Sequence, residues 1–363
     1  YLMKKKNILI ISGSRADYYL LSNLKNELKR NPNLNINFLT TGGALKIKDQ
    51  KSQKNIKIRI FKDERITTPI AISEVIKKLS NYFNTKKIDL VILLGDRYEI
   101  LGAAIAAHSF GIKIAHFHGG ETTLGSKDDD YRNAITQFSY YHFVTCAKHY
   151  KRVEAIKNSR NNIYIIGSIG VDIIKKIKLF NKKQIERRLN IKLKKIISVV
   201  TVHPETKKEI NNLDIDNLLK VIDEYSNIDF IFTYPGYDFG FKKIIKKINQ
   251  NKKKSNIYIF ENLGQKLYYS LIKICNFVLG NSSSGIIEVP SFKKYTINLG
   301  FRQKGRVHAK SVLHANFNKN EIKRQINKIL KSKNSTNKFK NPHDKYGSLK
   351  NSSKIIKKIL IEK

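Results

Sequence analysis

Residues 89–110 form one strand-and-helix repeat, and they read DLVILLGDRYEILGAAIAAHSF. The run from Asp89 to Leu94 is short and almost wholly apolar, which is typical of a strand buried on both faces. Gly95-Asp96-Arg97 ends this run, and an alanine-rich helix is predicted from Tyr98 to Phe110. A buried strand, a turn and a helix in this order predict one repeat of a parallel sheet covered by helices.

The same alternation continues on both sides of this repeat. The predicted strands before residue 167 are Asn7–Ser12, Leu34–Thr41, Asp89–Leu94, Ile112–Phe117, Tyr141–Cys146 and Asn162–Ile166. Those after residue 170 are Lys195–Thr201, Ile228–Thr233, Asn256–Phe260, Cys275–Leu279 and Tyr295–Asn298. We therefore predict an α/β fold of two doubly wound, Rossmann-like domains, 1–170 and 171–345, with a C-terminal helix in 346–363 returning to the first domain. Ligands of such sheets bind beyond the carboxyl ends of the strands, so an interdomain cleft is expected.

Composition restricts the possible partners. The formal net charge is +41, but the lysines are spread along the whole chain, which indicates a general bias in composition. No zinc-finger spacing or RNA-binding signature accompanies the charge, so a nucleic-acid partner is not expected. No apolar run approaches the roughly 20 residues that span a bilayer, so a membrane partner is not expected either. Cys146 and Cys275 are predicted to be buried free thiols, and a cytoplasmic location fits this composition.

A small-residue turn follows the first predicted strand, with the sequence Ser12-Gly13-Ser14-Arg15-Ala16-Asp17-Tyr18. A turn of this kind before a helix N-terminus can bind an anion, and Arg15 would add positive charge. The turn matches neither the dinucleotide fingerprint nor a P-loop, which argues against nicotinamide and ATP. The alternative is an ordinary strand-to-helix turn with an exposed arginine.

Acids, histidines and arginines follow two later strands of the first domain. Asp96 and Arg97 end the strand quoted above, although Asp96 could simply cap the next helix. Residues 116–132 read HFHGGETTLGSKDDDYR, and they combine two histidines with four carboxylates around a glycine turn. Acid/base chemistry, helix capping and a metal site are the three interpretations. Strand alternation would place His116 and His118 on one face of the sheet.

Polar motifs in the second domain also lie at predicted strand ends. His203 ends one strand, as a ligand contact or as a capping histidine. The turn Gly280-Asn281-Ser282-Ser283-Ser284-Gly285 could bind a diphosphate through hydroxyls and backbone N–H groups, or it could be a polar turn with a capping serine. Glu288, one helical turn further on, could accept hydrogen bonds from ribose hydroxyls. Arg302 and Arg306 follow another strand.

Taken in order, these motifs resemble the hydrolysing UDP-N-acetylglucosamine 2-epimerases, including their sialic-acid and legionaminic-acid branch. The resemblance runs from Ser12 to Gln303, which is most of the chain, and the ordered set is more specific than any single motif. It implies a GT-B-like fold with substrate in the cleft. It also implies proton removal at sugar C2, loss of the nucleoside diphosphate to give a 2-acetamidoglycal, and addition of water. Neither a cofactor nor a metal is implied.

The resemblance assigns roles residue by residue. The catalytic positions are Asp96, His118, Glu121, Asp128 and Asp129. The substrate- and nucleotide-binding positions are Arg15, Arg97, Arg132, His203, Gly236, Ser282, Ser283, Ser284, Gly285, Glu288 and Arg302. The chain departs from some family members at His118, where they carry a catalytic glutamate, so either His118 or Glu121 would be the acid/base group. Histidine can carry a proton near neutral pH, so the chemistry survives this change.

The expected reaction converts UDP-N-acetylglucosamine into free N-acetylmannosamine and UDP. The alternatives are the same reaction on a UDP- or GDP-linked 2,4-diacetamido-2,4,6-trideoxyglucose, for legionaminic acid, and glycosyl transfer by a GT-B enzyme. A basic nucleic-acid-binding protein is a further alternative, which steeply salt-dependent binding would reveal. A homodimer or higher homo-oligomer is expected.

Overall fold

The computed structural model describes residues 5–42, 54–56, 64–207, 212–236, 238–332, 339–345 and 347–361, and these residues form two compact units. Unit 1 comprises the described residues of 1–121, 128–173 and 343–363, and unit 2 those of 122–127 and 174–342. Both units are doubly wound α/β structures, which confirms the predicted fold class. The domain boundaries predicted from the sequence differ from these units in two places. They placed residues 122–127 in the first domain and residues 343–345 in the second.

Unit 1 contains a seven-stranded sheet in which all recorded strand pairs are parallel. Its strands are β1 Lys6–Ser12, β2 Leu34–Thr41, β3 Lys54–Ile56, β4 Leu90–Leu94, β5 Ile114–Phe117, β6 Tyr141–Val144 and β7 Ile163–Ile165. Its helices are α1 Arg15–Leu28, α2 Glu64–Thr85, α3 Tyr98–Ser109, α4 Asp128–Phe138 and α5 Ala147–Lys157, and it contains the start of α6 Ile169–Lys176. The strand order is β3-β2-β1-β4-β5-β6-β7, so the order reverses between β1 and β4.

The strands of unit 1 are apolar because helices cover both faces of the sheet. All five residues of β4 are buried. The small residues of α3 allow close packing against α2, since a Cβ at Gly102 would lie 2.9 Å from the carbonyl oxygen of Ile72. The core next to β4 therefore explains the composition of residues 89–110.

Unit 2 contains a six-stranded parallel sheet in the order β10-β9-β8-β11-β12-β13. Its strands are β8 Ile196–Thr201, β9 Ile228–Thr233, β10 Ile257–Phe260, β11 Phe277–Gly280, β12 Tyr295–Leu299 and β13 Val312–Ala315. Its helices are α7 Lys182–Leu189, α8 Asn212–Asp223, α9 Phe241–Gln250, α10 Gly264–Ile274, α11 Ser283–Ile287 and α12 Lys319–Lys331, with a short 3₁₀ helix at Val289–Phe292. Here the strand order reverses between β8 and β11.

The last described segment completes unit 1. Helix α13, Ser348–Ile361, packs against α1. Ahead of it, the backbone N–H of Ser168 donates to the carbonyl of His343 (2.9 Å), and Ser348 Oγ donates to the carbonyl of Ile166 (2.7 Å). Residues at the start and at the end of the chain therefore form one folding unit.

Within the ranges that the structure describes, every helix is too short or too polar to cross a bilayer.

Candidate active site

The first predicted residues lie beside the carboxyl ends of β1 and β4, where the strand order of unit 1 reverses. Ser14 is the N-cap of α1, and its Oγ accepts a hydrogen bond from the backbone N–H of Asp17 (3.1 Å). Arg15 is the first residue of α1. Burial raises the pKa of Asp17, and the nearby charge of Arg97 opposes this shift. An anion is favoured at such a helix N-terminus, and Arg15 adds to this preference.

Arg97 is held in place by a buried carboxylate. Its Nε lies 3.1 Å from Oε2 of Glu99, whose side chain is fully buried. Its guanidinium carbon also lies 5.1 Å from the ring centroid of Tyr98. The sequence analysis did not select Glu99, because a glutamate in the first turn of a helix normally faces water. In the structure it fixes the direction of a predicted substrate-binding arginine.

The centre of the unit 1 site is the buried side chain of Arg132, which is 1% exposed. Its Nη2 forms a short ion pair with Oδ2 of Asp96, and its Nη1 donates to Oδ1 of Asp129 (3.3 Å). Nη1 also donates to the carbonyl oxygen of Glu121 (2.9 Å). One guanidinium on α4 thus joins Asp96 at the end of β4 to the turn that follows β5.

Arg152 on α5 adds a second guanidinium to this network. Its Nη1 donates to the carbonyl oxygen of Glu121 (2.9 Å), and its Nη2 donates to Oδ2 of Asp129 (2.9 Å) and to Oδ1 of Asn133 (3.3 Å). Asp129, with 6% of its side chain exposed, therefore bridges two arginines. Arg152 was missed from the sequence because it lies in mid-helix, with no strand end or glycine turn beside it.

The turn after β5 brings His118 and Glu121 together. His118 lies just after the end of β5 and has a positive φ of 63°, so strand alternation does not apply to it. Its Nδ1 lies 3.5 Å from Oε1 of Glu121, which is 1% exposed. Gly120 has φ 73°, and a Cβ there would lie 2.4 Å from the carbonyl oxygen of His149. The turn thus requires glycine at this position.

His116 makes different contacts from His118. Its Nε2 is 2.8 Å from the carbonyl oxygen of Gly95, and its Nδ1 is 3.2 Å from Thr136 Oγ1. Burial lowers the pKa of His116 to about 4. The ring is therefore neutral at pH 7, with Nε2–H donating to Gly95 and Nδ1 accepting from Thr136. The sequence analysis placed His116 and His118 on one face of a strand, and this was wrong, since the strand ends at Phe117.

Asp128 and Asp129 occupy different environments although they are adjacent. Both lie in the first turn of α4, where carboxylates interact favourably with the helix dipole. Asp129 is buried between two guanidiniums, whereas Asp128 is only half-buried. Of the two, Asp128 is therefore the more accessible to a ligand.

In unit 2, the predicted residues lie where the strand order reverses between β8 and β11. The side chain of Asn281 clamps the backbone of His203, accepting from its N–H (2.6 Å) and donating to its carbonyl (2.9 Å). The backbone N–H of Gly236 donates to Nδ1 of His203 (3.0 Å). Because Nδ1 is an acceptor, the neutral ring carries its proton on Nε2, where it can donate to a ligand.

The serine turn begins α11, as predicted. Ser282 is the N-cap, Ser283 is the first helical residue, and Ser284 donates its backbone N–H to Ser282 Oγ (3.4 Å). Gly285 packs closely on β12, since a Cβ there would lie 2.7 Å from Thr296 Cγ2. Glu288 follows α11 and is 8% exposed.

Arg302 lies in a turn held by a carboxylate that the sequence analysis did not select. Oε1 of Glu205 accepts from the backbone N–H groups of Phe301 (2.7 Å) and Arg302 (3.0 Å). The Arg302 guanidinium lies 3.7 Å from Oδ2 of Asp238. Gln303 Nε2 donates to the carbonyl of Asn281 (2.8 Å), which connects this turn to the serine turn.

The segment 122–127 packs on the same part of unit 2. The backbone N–H of Leu124 donates to the carbonyl of Lys304 (3.0 Å), and that of Lys127 donates to Thr206 Oγ1 (2.8 Å). A Cβ at Gly125 would lie 2.1 Å from the carbonyl oxygen of Phe301. Segment 122–127 directly follows Glu121 in the sequence, so the turn after β5 continues without interruption into the segment that packs on unit 2.

Comparison with known proteins identifies relatives along nearly the whole chain. Residues 26–360 match the family model described as UDP-N-acetylglucosamine 2-epimerase. A Campylobacter jejuni protein named GDP/UDP-N,N'-diacetylbacillosamine 2-epimerase (hydrolyzing) is 36% identical over 330 residues, which cover 87% of this chain and 86% of the relative. The polysialic acid biosynthesis protein P7 of Escherichia coli is 34% identical, over 99% of this chain and 95% of that protein.

A solved structure shares the fold. The UDP-GlcNAc 2-epimerase of Neisseria meningitidis, solved bound to UDP-GlcNAc, aligns with a TM-score of 0.81, 17% identity, and coverage of 98% of this chain and 100% of that one. The likeness shows the GT-B-like fold.

Proposed function

The chain belongs to the UDP-N-acetylglucosamine 2-epimerase family, and from this premise we propose that it is a hydrolysing sugar-nucleotide 2-epimerase that releases a free sugar. The observation that carries the proposal is the cluster around Arg132, in which Asp96, Asp129 and the Glu121 carbonyl converge on one buried guanidinium. General acid/base catalysis needs its proton-carrying groups held in fixed positions, and this network holds Asp96 and the turn that carries Glu121.

The proposed reaction has two steps. A base removes the proton at C2 of the sugar while the bond between C1 and the diphosphate oxygen breaks, which gives a 2-acetamidoglycal and UDP. Water then adds across the double bond, with hydroxyl to C1 and a proton to C2 on the opposite face. The products are a free 2-acetamido sugar of manno configuration and the nucleoside diphosphate.

Within unit 1 we assign the proton transfers to Asp96, Asp128 and the His118–Glu121 pair. Asp96 keeps 23% of its side chain exposed, and Asp128 is half-buried, so both can reach a ligand. Asp129 is enclosed by Arg132 and Arg152, and its role is to position them. The His118 ring lies 3.5 Å from the buried carboxylate of Glu121, so we propose that the two groups act together as one acid/base pair.

Within unit 2 we assign nucleotide binding to the residues around the serine turn. The proposed diphosphate contacts are Ser282, Ser283, Ser284 and the Nε2–H of His203, with Arg302 adding positive charge. Glu288 is proposed to accept hydrogen bonds from the ribose hydroxyls. In unit 1, Arg15 and Arg97 are proposed to bind substrate. Positive groups of this kind neutralise the charge that develops on the leaving diphosphate.

The sugar is proposed to be the N-acetylglucosamine of UDP-N-acetylglucosamine. A 2,4-diacetamido-2,4,6-trideoxy sugar on UDP or GDP is the second candidate. It is favoured by the name of the 36% identical relative, whereas the 34% identical relative is named for polysialic acid biosynthesis. Both candidates present the same acetamido group at C2, so the catalytic assignment holds for either.

The test is an NMR time course in deuterated water with UDP-N-acetylglucosamine, and then with the 2,4-diacetamido nucleotides. Free N-acetylmannosamine carrying deuterium at C2, with UDP, is the expected product. A UDP-linked manno sugar would show a non-hydrolysing epimerase. No turnover of any nucleotide, in a sample that still broadens the resonances of UDP, would refute the proposal and favour a glycosyltransferase.

Two variants of the β4 region separate chemistry from folding. Asp96→Asn should lower kcat/KM by about 100-fold or more, as expected for loss of an acid/base group. Asp89→Asn changes a carboxylate at the opposite end of the same strand, where Asp89 accepts a hydrogen bond from the backbone N–H of Asn7 (2.7 Å). That control should retain activity, and an equal loss in both variants would contradict the role of Asp96.

A further inference from the structure

Three side chains with metal-binding atoms meet at the N-terminus of α5, outside the residues assigned to catalysis. They are Cys146, His149 and His343, and one ligand atom of each lies within 4.8 Å of the other two. His149 and His343 are 2% and 1% exposed, and Cys146 is half-buried. Among the residues that the structure describes, this is the one such group of three histidine, cysteine or acidic side chains.

Local helix geometry brings two of the three together. Cys146 is the N-cap residue of α5 and His149 lies three positions later, so both side chains project from the first turn. Small N-cap side chains usually accept a hydrogen bond from the helix, but in the described α5 the Cys146 side chain makes no such capping bond. The Cys146 side chain is thus not needed for capping.

The third side chain comes from the far end of the chain. His343 precedes α13, and its carbonyl accepts from the backbone N–H of Ser168 (2.9 Å), which fixes its position in unit 1. The sequence analysis could not find the group, because 198 residues separate Thr145 from His343. It predicted Cys146 and Cys275 to be buried free thiols, which is wrong for Cys146, since that side chain is half-buried, and is confirmed for Cys275.

Thr145 orients both imidazole rings. Its Oγ1 lies 2.8 Å from Nδ1 of His149 and 2.9 Å from Nδ1 of His343. A hydroxyl oxygen can accept two hydrogen bonds, so both Nδ1–H groups can donate to it. Both Nε2 atoms then carry lone pairs. Metal-ligating histidines are usually oriented by a hydrogen bond of this kind from the other ring nitrogen.

From this geometry we propose that Cys146, His149 and His343 bind one zinc ion, through the cysteine thiolate and the Nε2 atoms of both histidines. Sulfur and imidazole donors suit Zn²⁺, whereas Mg²⁺ and Ca²⁺ require oxygen. Tetrahedral zinc with bonds of about 2.0–2.3 Å places its donors about 3.3–3.6 Å apart. The ligand atoms of the three side chains lie within 4.8 Å of one another, so the side chains close by at most about 1.5 Å on binding. Water supplies the fourth ligand.

The proposed zinc site joins helix α5 to the segment that leads into α13. His149 and Arg152 lie one turn apart on α5, and Arg152 holds the Glu121 carbonyl and Asp129. His343 anchors the segment that continues into α13. Zinc therefore stabilises the attachment of this segment to α5. The zinc site does not depend on the catalytic assignment, and its test uses no substrate.

The test uses the full chain without an affinity tag, stripped with chelator and then equilibrated with buffered Zn²⁺. We expect one zinc per chain by mass spectrometry of the metal, a higher Tm, and protection of Cys146 from alkylation. Co²⁺ in place of Zn²⁺ should give a thiolate-to-metal charge-transfer band and intense visible bands of tetrahedral cobalt. Burial raises the pKa of Cys275 to about 12, so that thiol provides an unreactive internal reference.

Variants decide which residues bind. Cys146→Ser should abolish the charge-transfer band and weaken zinc binding at least tenfold, and Thr145→Val should weaken binding about 10- to 100-fold while leaving all three ligands. His314→Gln is the matched control, since it removes one member of another histidine pair, whose Nε2 atoms are 3.3 Å apart. That control should bind zinc normally.

Two results would overturn the proposal. One is stripped wild-type protein that takes up less than stoichiometric zinc and shows no protection of Cys146. The other is zinc binding that persists unchanged in Cys146→Ser and Thr145→Val. If circular dichroism shows that Cys146→Ser does not fold, the proposal is tested by zinc binding of Thr145→Val and by zinc protection of Cys146 from alkylation in the wild-type protein.

Discussion

Arg152 and Asp129 provide the sharpest test of the network that holds the Glu121 turn. The perturbation is a double-mutant cycle with Asp129→Asn, Arg152→Met and both changes together. Because the two side chains form an ion pair, each single change should destabilise the first turn of α4, and the second change should add little once the first is present. The coupling free energy between them is the quantity of interest.

The geometry sets the expected size of this coupling. Nη2 of Arg152 lies 2.9 Å from Oδ2 of Asp129, and the two side chains are 26% and 6% exposed. Hydrogen bonds to charged groups contribute about 1.5–3 kcal/mol. Because Arg132 still pairs with Asp129 at 3.3 Å and solvent reaches Arg152, we expect a coupling near the lower end, about 1.5–2 kcal/mol.

The assay is hydrogen exchange of the backbone amides of α4, because it reports local opening without requiring the two units to unfold together. A coupling of this size corresponds to a change of about 10- to 30-fold in the opening equilibrium. The matched control is Glu154→Gln with Arg160→Met, an ion pair at the end of α5, the helix that also carries Arg152, and its Arg160 is 83% exposed. The control cycle should be additive. Additivity at Asp129 and Arg152 would refute the proposed clamp.

Three further predictions concern pH and packing. Burial lowers the pKa of His116 to about 4, whereas its value in the unfolded chain is about 6.5. Between pH 6.5 and pH 4 the unfolded chain therefore binds more protons than the folded protein. The free energy of unfolding decreases as the pH falls through this range. The loss should reach about 2 kcal/mol at pH 5 in urea denaturation, and His116→Gln should reduce this slope; an unchanged slope would contradict the burial argument. Gly125→Ala should destabilise unit 2 by about 1–3 kcal/mol in thermal denaturation, because the new Cβ would lie 2.1 Å from the Phe301 carbonyl oxygen. An unchanged Tm would mean that segment 122–127 does not pack against Phe301. Glu205→Ala should lower the free energy of unfolding by about 1–3 kcal/mol, because it leaves two backbone N–H groups without their acceptor. Glu205→Gln keeps an acceptor oxygen and should lose less than half as much. Equal losses in the two variants would mean that the charge of Glu205, and not its hydrogen bonds, stabilises the turn.

Strands could be predicted from the sequence where both faces of the strand are buried, because such strands consist of continuous apolar residues. The prediction for residues 89–94 overlaps β4, Leu90–Leu94, in full, and the helix predicted from Tyr98 begins there and ends at Ser109, one residue early. The edge strand β13, Val312–Ala315, was missed because only its first and last residues are buried, so it carries no apolar run. Periodicity thus identifies central strands better than edge strands.

The positions of several predicted site residues could be read from the sequence because these residues follow a strand end. Asp96, His203 and Ser282 all do so, because the carboxyl ends of parallel strands collect at one edge of the sheet. Arg152 is one of 70 lysines and arginines, and nothing local separates it from the others. His118 was placed on the wrong face because its positive φ could not be read from the sequence. Long-range pairing, as at His343, leaves no local signal.

The division of unit 1 between distant parts of the chain has a consequence during synthesis. Residues 343–361 complete this unit, yet residues 174–342, which belong to unit 2, must leave the ribosome first. At about 5–20 residues per second, this takes roughly 10–30 s. Throughout that time the face of α1 that α13 covers is open to other proteins. We therefore expect the nascent chain to bind chaperones that recognise apolar helices, and we expect its yield to depend on translation speed as well as on the stability of the finished fold.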